Sequence, residues 1–313
     1  MSAVVVVGSF SMDLTAEAPR MPRLGETVLG TGFLMVPGGK GNNQAVASVR
    51  AGAETAVVGC IGSDLFGQMV EAACRAEGLD TTWLERVAGA ETGVAQIAVN
   101  ANAENSIIVV PRANLALDRE RVAAAHQVTE QARVILTQLE VPIDAVRAAL
   151  RAGRAAGALN LLNPAPAADL SQDLLSMVDI CLPNEHEAAQ LTGVTVEGIA
   201  SAVGAADALV ARGCGAAVIT LGALGAVYSD GRRRLRVPPL LVRAVDTVAA
   251  GDAFCGVLAA ELAGGQDLDR ALQVAAAAGA LATTKRGATT SLPHRSELDA
   301  VLETSPKVEA LLL

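Results

Sequence analysis

Aromatic residues are scarce: four Phe, one Tyr and one Trp make up 2% of a 313-residue chain that is 51% hydrophobic. The core must therefore be built from Ala, Val and Leu, which suits helices lying tightly on a buried parallel sheet. Cysteine is sparse as well. Cys60, Cys74, Cys181, Cys214 and Cys255 are odd in number and never spaced as CxxC, so neither a zinc site nor a disulfide framework is indicated. Three histidines without metal-ligand spacing add nothing to a zinc reading. Long single-sign charge blocks are missing too, although the net charge is −9. The one dense basic run, Arg232-Arg233-Arg234, follows the turn Ser229-Asp230-Gly231 and reads as a solvated hairpin tip. An acidic chain without a basic stripe argues against a nucleic-acid partner, but not against a phosphorylated ligand held by backbone N–H groups. The apolar run from Ser2 to Gly8 is strand-length, without a basic leader, and too short for a membrane span. The expectation is a cytoplasmic protein with no membrane partner.

What is present is alternation. β-branched runs at Val4–Val7, Ala56–Cys60, Val134–Leu139, Ala158–Leu162, Ile180–Leu182 and Ala217–Leu221 are separated by helix-length segments. The spacing predicts helices near Gln44–Arg50, Phe66–Glu77, Arg119–Ala132, Ile143–Ala156, Ile199–Arg212, Gly251–Leu262 and Leu268–Thr284. Repetition of this kind implies an α/β chain with a parallel sheet covered on both faces. Two stretches break the pattern. Leu14 to Val36 is rich in Pro and Gly, and Thr92 to Val110 reads as two strands around the polar turn Asn100–Asn105. A small β-lid over the carboxyl edge of the sheet, formed by about 14–36 and 92–110 within one domain spanning 1–313, accounts for both.

Chemistry concentrates past the strand ends. In Asp246-Thr247-Val248-Ala249-Ala250-Gly251-Asp252, small residues precede a helix whose first amides lack partners and favour an anion. Asp252 at that first turn either complements the helix dipole or takes a proton from an attacking hydroxyl while the amides stabilise a phosphoryl group. Pro37-Gly38-Gly39-Lys40-Gly41-Asn42-Asn43-Gln44 again sets glycines and hydroxyl-reading groups before a helix. It is not a Walker A loop, because Gly41 rather than Ser or Thr follows Lys40, and no strand–GxGxxG–helix unit occurs. Pro183-Asn184-Glu185-His186-Glu187 offers oxygen ligands for magnesium, or equally a helix cap with Asn184 at N-cap and Glu187 at N3; His186 reads as solvent-facing. Thr220-Leu221-Gly222-Ala223-Leu224-Gly225 ends a strand with an open turn, and Asp13 and Glu140 close two other strands.

In this order and spacing the segments resemble the ribokinase-like (PfkB) carbohydrate kinases, from about Val4 to Pro293. Gly38–Gln44 is similar to the N-terminal signature of that family and Asp246–Asp252 to its C-terminal one. The resemblance implies a three-layer α/β/α fold with a mostly parallel sheet, and transfer of the ATP γ-phosphoryl group to the primary hydroxyl of a small sugar, D-ribose foremost. It implies Asp252 as base, and Ala249, Ala250 and Gly251 as anion hole. It further implies Ser11, Asp13, Gly39, Lys40, Asn43 and Glu140 around the sugar, with Ile97 and Val109 on the lid side. Asn184 and Glu187 match positions tied to Mg²⁺ and phosphate, and Thr220, Gly222, Gly225 and Ala276 match the nucleotide site. Asp246, Val248, Ala282, Lys285, Gly287 and Ser291 match a monovalent-cation site for K⁺, several through carbonyl oxygens. Members of the family also suggest a homodimer joined through the lid.

Three departures bear on the substrate. Ser11 stands where an Asn is usual, Arg112 precedes Ala113-Asn114 where a Gly is common, and Ala276 is small for its place near the adenine. A smaller polar group at 11 removes a combined donor and acceptor, and Arg112 offers a charge to an acidic substrate. Another pentose, a hexose, an acidic sugar or a nucleoside is therefore the alternative substrate, and a non-catalytic sugar-binding protein the alternative class.

Overall fold

The computed structural model describes residues 3–102 and 104–311. Strand β1 (Val4–Val7) lies inside a 10-stranded sheet, third from one edge. The chain then forms β2 (Ser11–Glu17), β3 (Gly32–Gly38), β4 (Thr55–Gly62), β5 (Asp80–Val87), β6 (Gly93–Val99), β7 (Asn105–Val110), β8 (Val134–Thr137) and β9 (Leu159–Leu162). β10 (Ile180–Cys181), β11 (Ala216–Thr220), β12 (Ala226–Ser229), β13 (Arg234–Val237) and β14 (Glu309–Ala310) follow. The large sheet has the order β14-β13-β12-β11-β10-β9-β8-β1-β4-β5, parallel from β11 to β5 and antiparallel from β11 to β14. A separate 4-stranded sheet has the order β3-β2-β6-β7.

The helices are α1 (Lys40–Arg50), α2 (Leu65–Ala76), α3 (Arg119–Ala124), α4 (His126–Thr129), α5 (Ile143–Ala156), α6 (Gln172–Leu175), α7 (Glu185–Thr192), α8 (Ile199–Ala211), α9 (Ala250–Ala263), α10 (Leu268–Ala282) and α11 (Arg295–Leu302). Alternation along β1 sorts them into two layers. Val4 and Val6 pack with residues of α1, α2, α9, α10 and α11, whereas Val5 and Val7 pack with α3, α5, α7 and α8. Strands buried on both faces read as continuous apolar runs, which is why Val4–Val7 shows no polar alternation. The result is a three-layer α/β/α fold with the small sheet attached.

Expected elements differ from observed ones in instructive ways. The segment 119–132 is two short helices, because Ala125 closes a tighter turn onto Val122. β5 lacks an apolar run (Asp-Thr-Thr-Trp-Leu-Glu-Arg-Val) because it is an edge strand with one face partly open. The expected strand at 134–139 ends at Thr137, after which the chain turns through Gln138 and Leu139 towards Glu140. Arg232 and Arg233 lie exposed beyond Asp230, between β12 and β13, as expected of a hairpin tip.

The order of the sheet also places the site. From β1 the chain builds β4 and β5 on one side, then crosses back to lay β8, β9, β10 and β11 on the other. Ligands of open α/β sheets sit at the carboxyl ends of strands where such a reversal occurs, here between β1 and β8. A cavity of about 620 Å³ lies elsewhere, beside Ala3, Gly52, Arg133, Ala263 and Arg295. Its arginines are already engaged, Arg133 with the Ala263 carbonyl at 3.0 Å and Arg295 with Glu261 at 2.5 Å.

Candidate active site

The chain leaves β1 through Gly8, Ser9 and Phe10 and bends into β2. Asn114 fixes the bend: its side chain accepts from Phe10 N at 2.9 Å and donates to the Phe10 carbonyl at 3.0 Å. Ser9 Oγ then donates to Glu140 Oε2 at 2.5 Å, and Lys40 N donates to the same oxygen at 3.0 Å. Three separate segments, the ends of β1 and β8 and the start of α1, thus meet on one carboxylate. Glycine at 39 is required, since its φ of 91° lies in the left-handed region and an added Cβ would meet the Ser9 carbonyl oxygen at 2.9 Å.

Asp13 is buried on β2, with Ser11 Oγ donating weakly to its Oδ1 at 3.4 Å. Its carboxyl is pushed up to about 7, chiefly by burial, then by the neighbouring charges of Glu140 and Asp252, while the Ser11 hydrogen bond works the other way. Asp13 pairs with Ala95, which pairs with Val109, and Thr15 pairs with Ile97. Opposed residues share a face of a sheet, so Ile97 and Val109 stand on the same face as Asp13. Ile97 is buried and Val109 exposed.

Asp252 lies buried in the first turn of α9. Its Oδ2 accepts from Asn43 Nδ2 at 3.0 Å and its Oδ1 from Gln44 Nε2 at 2.9 Å. Close helix packing permits this. A Cβ on Gly256 would meet the Gln44 carbonyl oxygen at 2.3 Å, so glycine lets α1 settle against α9. Burial raises the Asp252 carboxyl above its ordinary range, and the Lys40 charge and the two amides only partly offset it. Burial of Lys40 opposes its charge, but Asp252, Glu140 and Glu187 outweigh that and raise it. Ala249 caps the helix with a left-handed φ of 61°, the N–H of Ala250 donates to the Thr247 carbonyl at 3.3 Å, and Gly251 is exposed.

Of the residues matched to the nucleotide and magnesium, Asn184, Glu187 and Thr220 meet. Asn184 caps α7 and accepts from Glu187 N at 2.8 Å, while Glu187 Oε2 accepts from Asn184 N at 2.9 Å, a full capping box. Asn184 bridges in parallel to Thr220, and the turn Gly222–Leu224 leads to Gly225, with φ of 52° at Gly222 and 90° at Gly225. Burial raises the Glu187 carboxyl, with the Asn184 bond and Lys40 lowering it in turn. His186 is exposed. Ala276, half-buried on α10, packs against the core. Among the residues matched to a monovalent cation, Asp246 joins two loops: Oδ1 accepts from Val248 N at 3.0 Å and Oδ2 from Gly287 N at 2.9 Å. Ala282 ends α10 beside them, Ser291 Oγ donates to the Ala288 carbonyl at 2.8 Å, and the Lys285 ammonium turns away to Glu297 at 2.6 Å. Arg112, with a left-handed φ of 46°, pairs with Glu91 at 3.3 Å.

Several participants did not emerge from the sequence as site residues: Ser9, Asn114, Gln138 and Asn163, and Gln44 beyond its place in the motif. Gln138 and Asn163 carried a faint signal, polar amides directly after buried strands.

The model of the pfkB family of carbohydrate kinases matches residues 1–295. A ribokinase of Haemophilus influenzae is 40% identical over 300 residues, covering 96% of this chain and 98% of the relative. A deoxyribokinase of Salmonella typhi is 34% identical over 300 residues, covering 96% and 98%. The solved structure of Arabidopsis thaliana ribokinase complexed with ribose and ATP superposes with a TM-score of 0.90 at 28% identity, covering 96% of this chain and 99% of that one. The chain belongs to the pfkB family of carbohydrate kinases.

Proposed function

We propose that this kinase transfers the γ-phosphoryl group of ATP to the primary hydroxyl of D-ribose, giving D-ribose 5-phosphate. The setting of Asp252 carries the reading: a buried carboxylate at a helix start, held by two amides and set in the field of Lys40, Glu140 and Asp13. Ribose is the favoured sugar because the relative from H. influenzae is a ribokinase aligned over nearly the whole chain.

In this mechanism Asp13, Lys40, Asn43 and Glu140, with the Gly39 backbone and the Ser11 hydroxyl, hold the sugar hydroxyls, and Ile97 and Val109 form its apolar border. Asp252 takes the proton of the hydroxymethyl group as that oxygen attacks the γ-phosphorus. The new O–P bond forms while the bond to ADP breaks, and its electron pair leaves on ADP. Amides of Ala249 and Gly251 donate to the phosphoryl oxygens, each such donor being worth about 3 kcal/mol, whereas the expected third donor, the Ala250 N–H, is held by the Thr247 carbonyl at 3.3 Å. A carboxyl raised by burial is the stronger base, and Lys40 and the amides keep it ionised. Thr220, Gly222, Gly225 and Ala276 border the nucleotide.

The capping box takes Oε2 of Glu187 and one lone pair of Asn184 Oδ1, so Glu187 Oε1 and the second lone pair of Asn184 Oδ1 are the oxygens that fit Mg²⁺. Bound there, magnesium supplies positive charge to the phosphate oxygens of ATP. The Asp246 link draws Val248 towards Gly287, and carbonyls of these residues with those of Ala282 and Lys285, and Ser291, make an oxygen set for K⁺. The small sheet acts as a lid, and its exposed Phe33, Leu34, Ile107, Ile108 and Val109 join two copies into a homodimer. The enzyme works in the cytoplasm.

Purified protein with ATP and Mg²⁺, with and without K⁺, is assayed against pentoses, 2-deoxyribose, hexoses and nucleosides. Ribose turnover yielding the 5-phosphate is expected, and no turnover on any pentose or hexose overturns the reading. A second sugar, 2-deoxyribose, is favoured by one observation: Ser11 Oγ makes only a 3.4 Å bond to Asp13. The Salmonella relative is a deoxyribokinase.

A further inference from the structure

Beneath Asp252 lies a row of buried amides. Gln44 Nε2 donates to Asp252 Oδ1 at 2.9 Å and to Asn163 Oδ1 at 3.0 Å, and Gln44 Oε1 accepts from Gln138 Nε2 at 2.6 Å. Asn163 Nδ2 donates in turn to the backbone carbonyl of Leu182 at 2.8 Å. Gln44 and Gln138 are both 0% exposed.

The direction of every amide follows from that backbone carbonyl, which can only accept. Asn163 must present its nitrogen to Leu182 and its oxygen to Gln44. Gln44 must then present its nitrogen to Asn163 and Asp252, and its oxygen to Gln138. A flipped Gln44 would set its oxygen against two other oxygens and its nitrogen against the Gln138 nitrogen. Gln138 accepts a cost for its part, because its own Oε1 is buried without a hydrogen-bond partner. Glycine at 8 leaves the room it occupies, since an added Cβ there would lie 2.0 Å from that oxygen. A buried orphan acceptor is expensive, and a donor aimed at Gln44 is what it supplies in return.

We infer that Gln44, locked by Gln138 and Asn163, is a positioning residue for the base: it ties down Oδ1 of Asp252 and leaves Oδ2, on the Asn43 side, as the oxygen that meets the sugar hydroxyl. The inference rests on the reading of Asp252 as base. Gln44 touches neither sugar nor nucleotide in this scheme. It acts by orienting the carboxylate and favouring its ionised form.

Gln44→Met keeps the length of the side chain and removes the donor. Its kcat is expected to fall about 10-fold or more, with sugar KM within about 3-fold of the parent. The acid limb of its kcat/KM profile moves up by about half a pH unit or more, since a hydrogen bond to the charged form is lost. Lys40 on α1, Glu140 after β8, Glu187 on α7, Asp13 on β2 and Cys255 on α9 also face Asp252, and they stay in place in every variant. Gln138→Met releases the lock and gives a smaller change of the same sign. The double variant is no slower than Gln44→Met, while losses in melting temperature accumulate. Parent-like kcat and pH profile in Gln44→Met overturn the inference, as does a double variant whose kcat losses multiply. If Gln44→Met does not fold, Gln138→Met alone decides: an unmoved acid limb overturns it. An active Asp252→Asn enzyme sinks the base reading itself, whereas an inactive one beside a parent-like Gln138→Met sinks only the amide brace.

Discussion

Asp13 fills the space that a side chain on Gly38 would need: a Cβ there would lie 2.1 Å from Asp13 Oδ1. The two residues belong to neighbouring strands, with Gly38 opposite Ser11 at the inner end of the small sheet.

Gly38→Ala therefore acts on the sugar rather than on the fold. The clashing atoms end a side chain that can rotate away, so the folding cost stays low while the carboxylate leaves its place. Sugar KM is expected to rise about 10-fold, near the effect of weakening one charged hydrogen bond. Steady-state kinetics and a melting curve check both halves.

The pH dependence follows from the carboxyl of Asp13, which burial pushes up to about 7. Its folded value lies above its unfolded one, so the folded state binds the extra proton. That contribution to stability is present below pH 4 and lost as pH rises through 7. Asp13→Asn should melt a few degrees higher than the parent at pH 8, with the difference vanishing towards pH 4. Parent sugar affinity runs the opposite way, weakening as pH falls below 7 and the acceptor becomes protonated. Calorimetric melts and sugar titrations at pH 5 and 8 read the two trends.

Asp252→Asn keeps the volume of the side chain and removes the proposed base. Turnover should drop at least ~100-fold with sugar binding retained. Isothermal titration with sugar, alongside kcat, separates this outcome from simple misfolding.

Asp246→Ala cuts the link between Val248 N and Gly287 N. Activation by K⁺ should disappear and kcat fall, since the loop opening α9 loses its tie to the loop after α10. Rates measured with K⁺ or Na⁺ as the only monovalent cation test this.

Ser11→Asn lengthens a side chain that now reaches only its neighbour Asp13, and it adds a donor. Ribose KM should fall if ribose is the substrate. An unchanged ribose KM with better turnover of 2-deoxyribose by the parent would favour the second sugar.

The parallel layers were legible from composition and alternation, because a strand buried on both faces shows an unbroken apolar run such as Val4–Val7. Edge strand β5 was not, since its polar residues face solvent on one side and carry no such run. Legibility of the site divided in the same way. Glycines before a helix marked Lys40, Asn43 and Asp252, because close backbone approach leaves a compositional trace. Ser9 and Gln138 left almost none. Their partners are distant in sequence, Glu140 131 residues from Ser9 and Gln44 94 from Gln138, and such meetings appear only once the sheet is assembled. Asn184 and Glu187 show why one motif admits two readings: the capping box forms in full and still leaves carboxylate oxygen to offer.

Asp13 rides on β2 of the small sheet, whereas Asp252 is built into a helix of the main body. In the proposed mechanism a sugar held at both carboxylates bridges the small sheet and the main body, and one lacking a hydroxyl at either end loses one of its two holds. Choosing the substrate and aiming the reaction then become a single mechanical act.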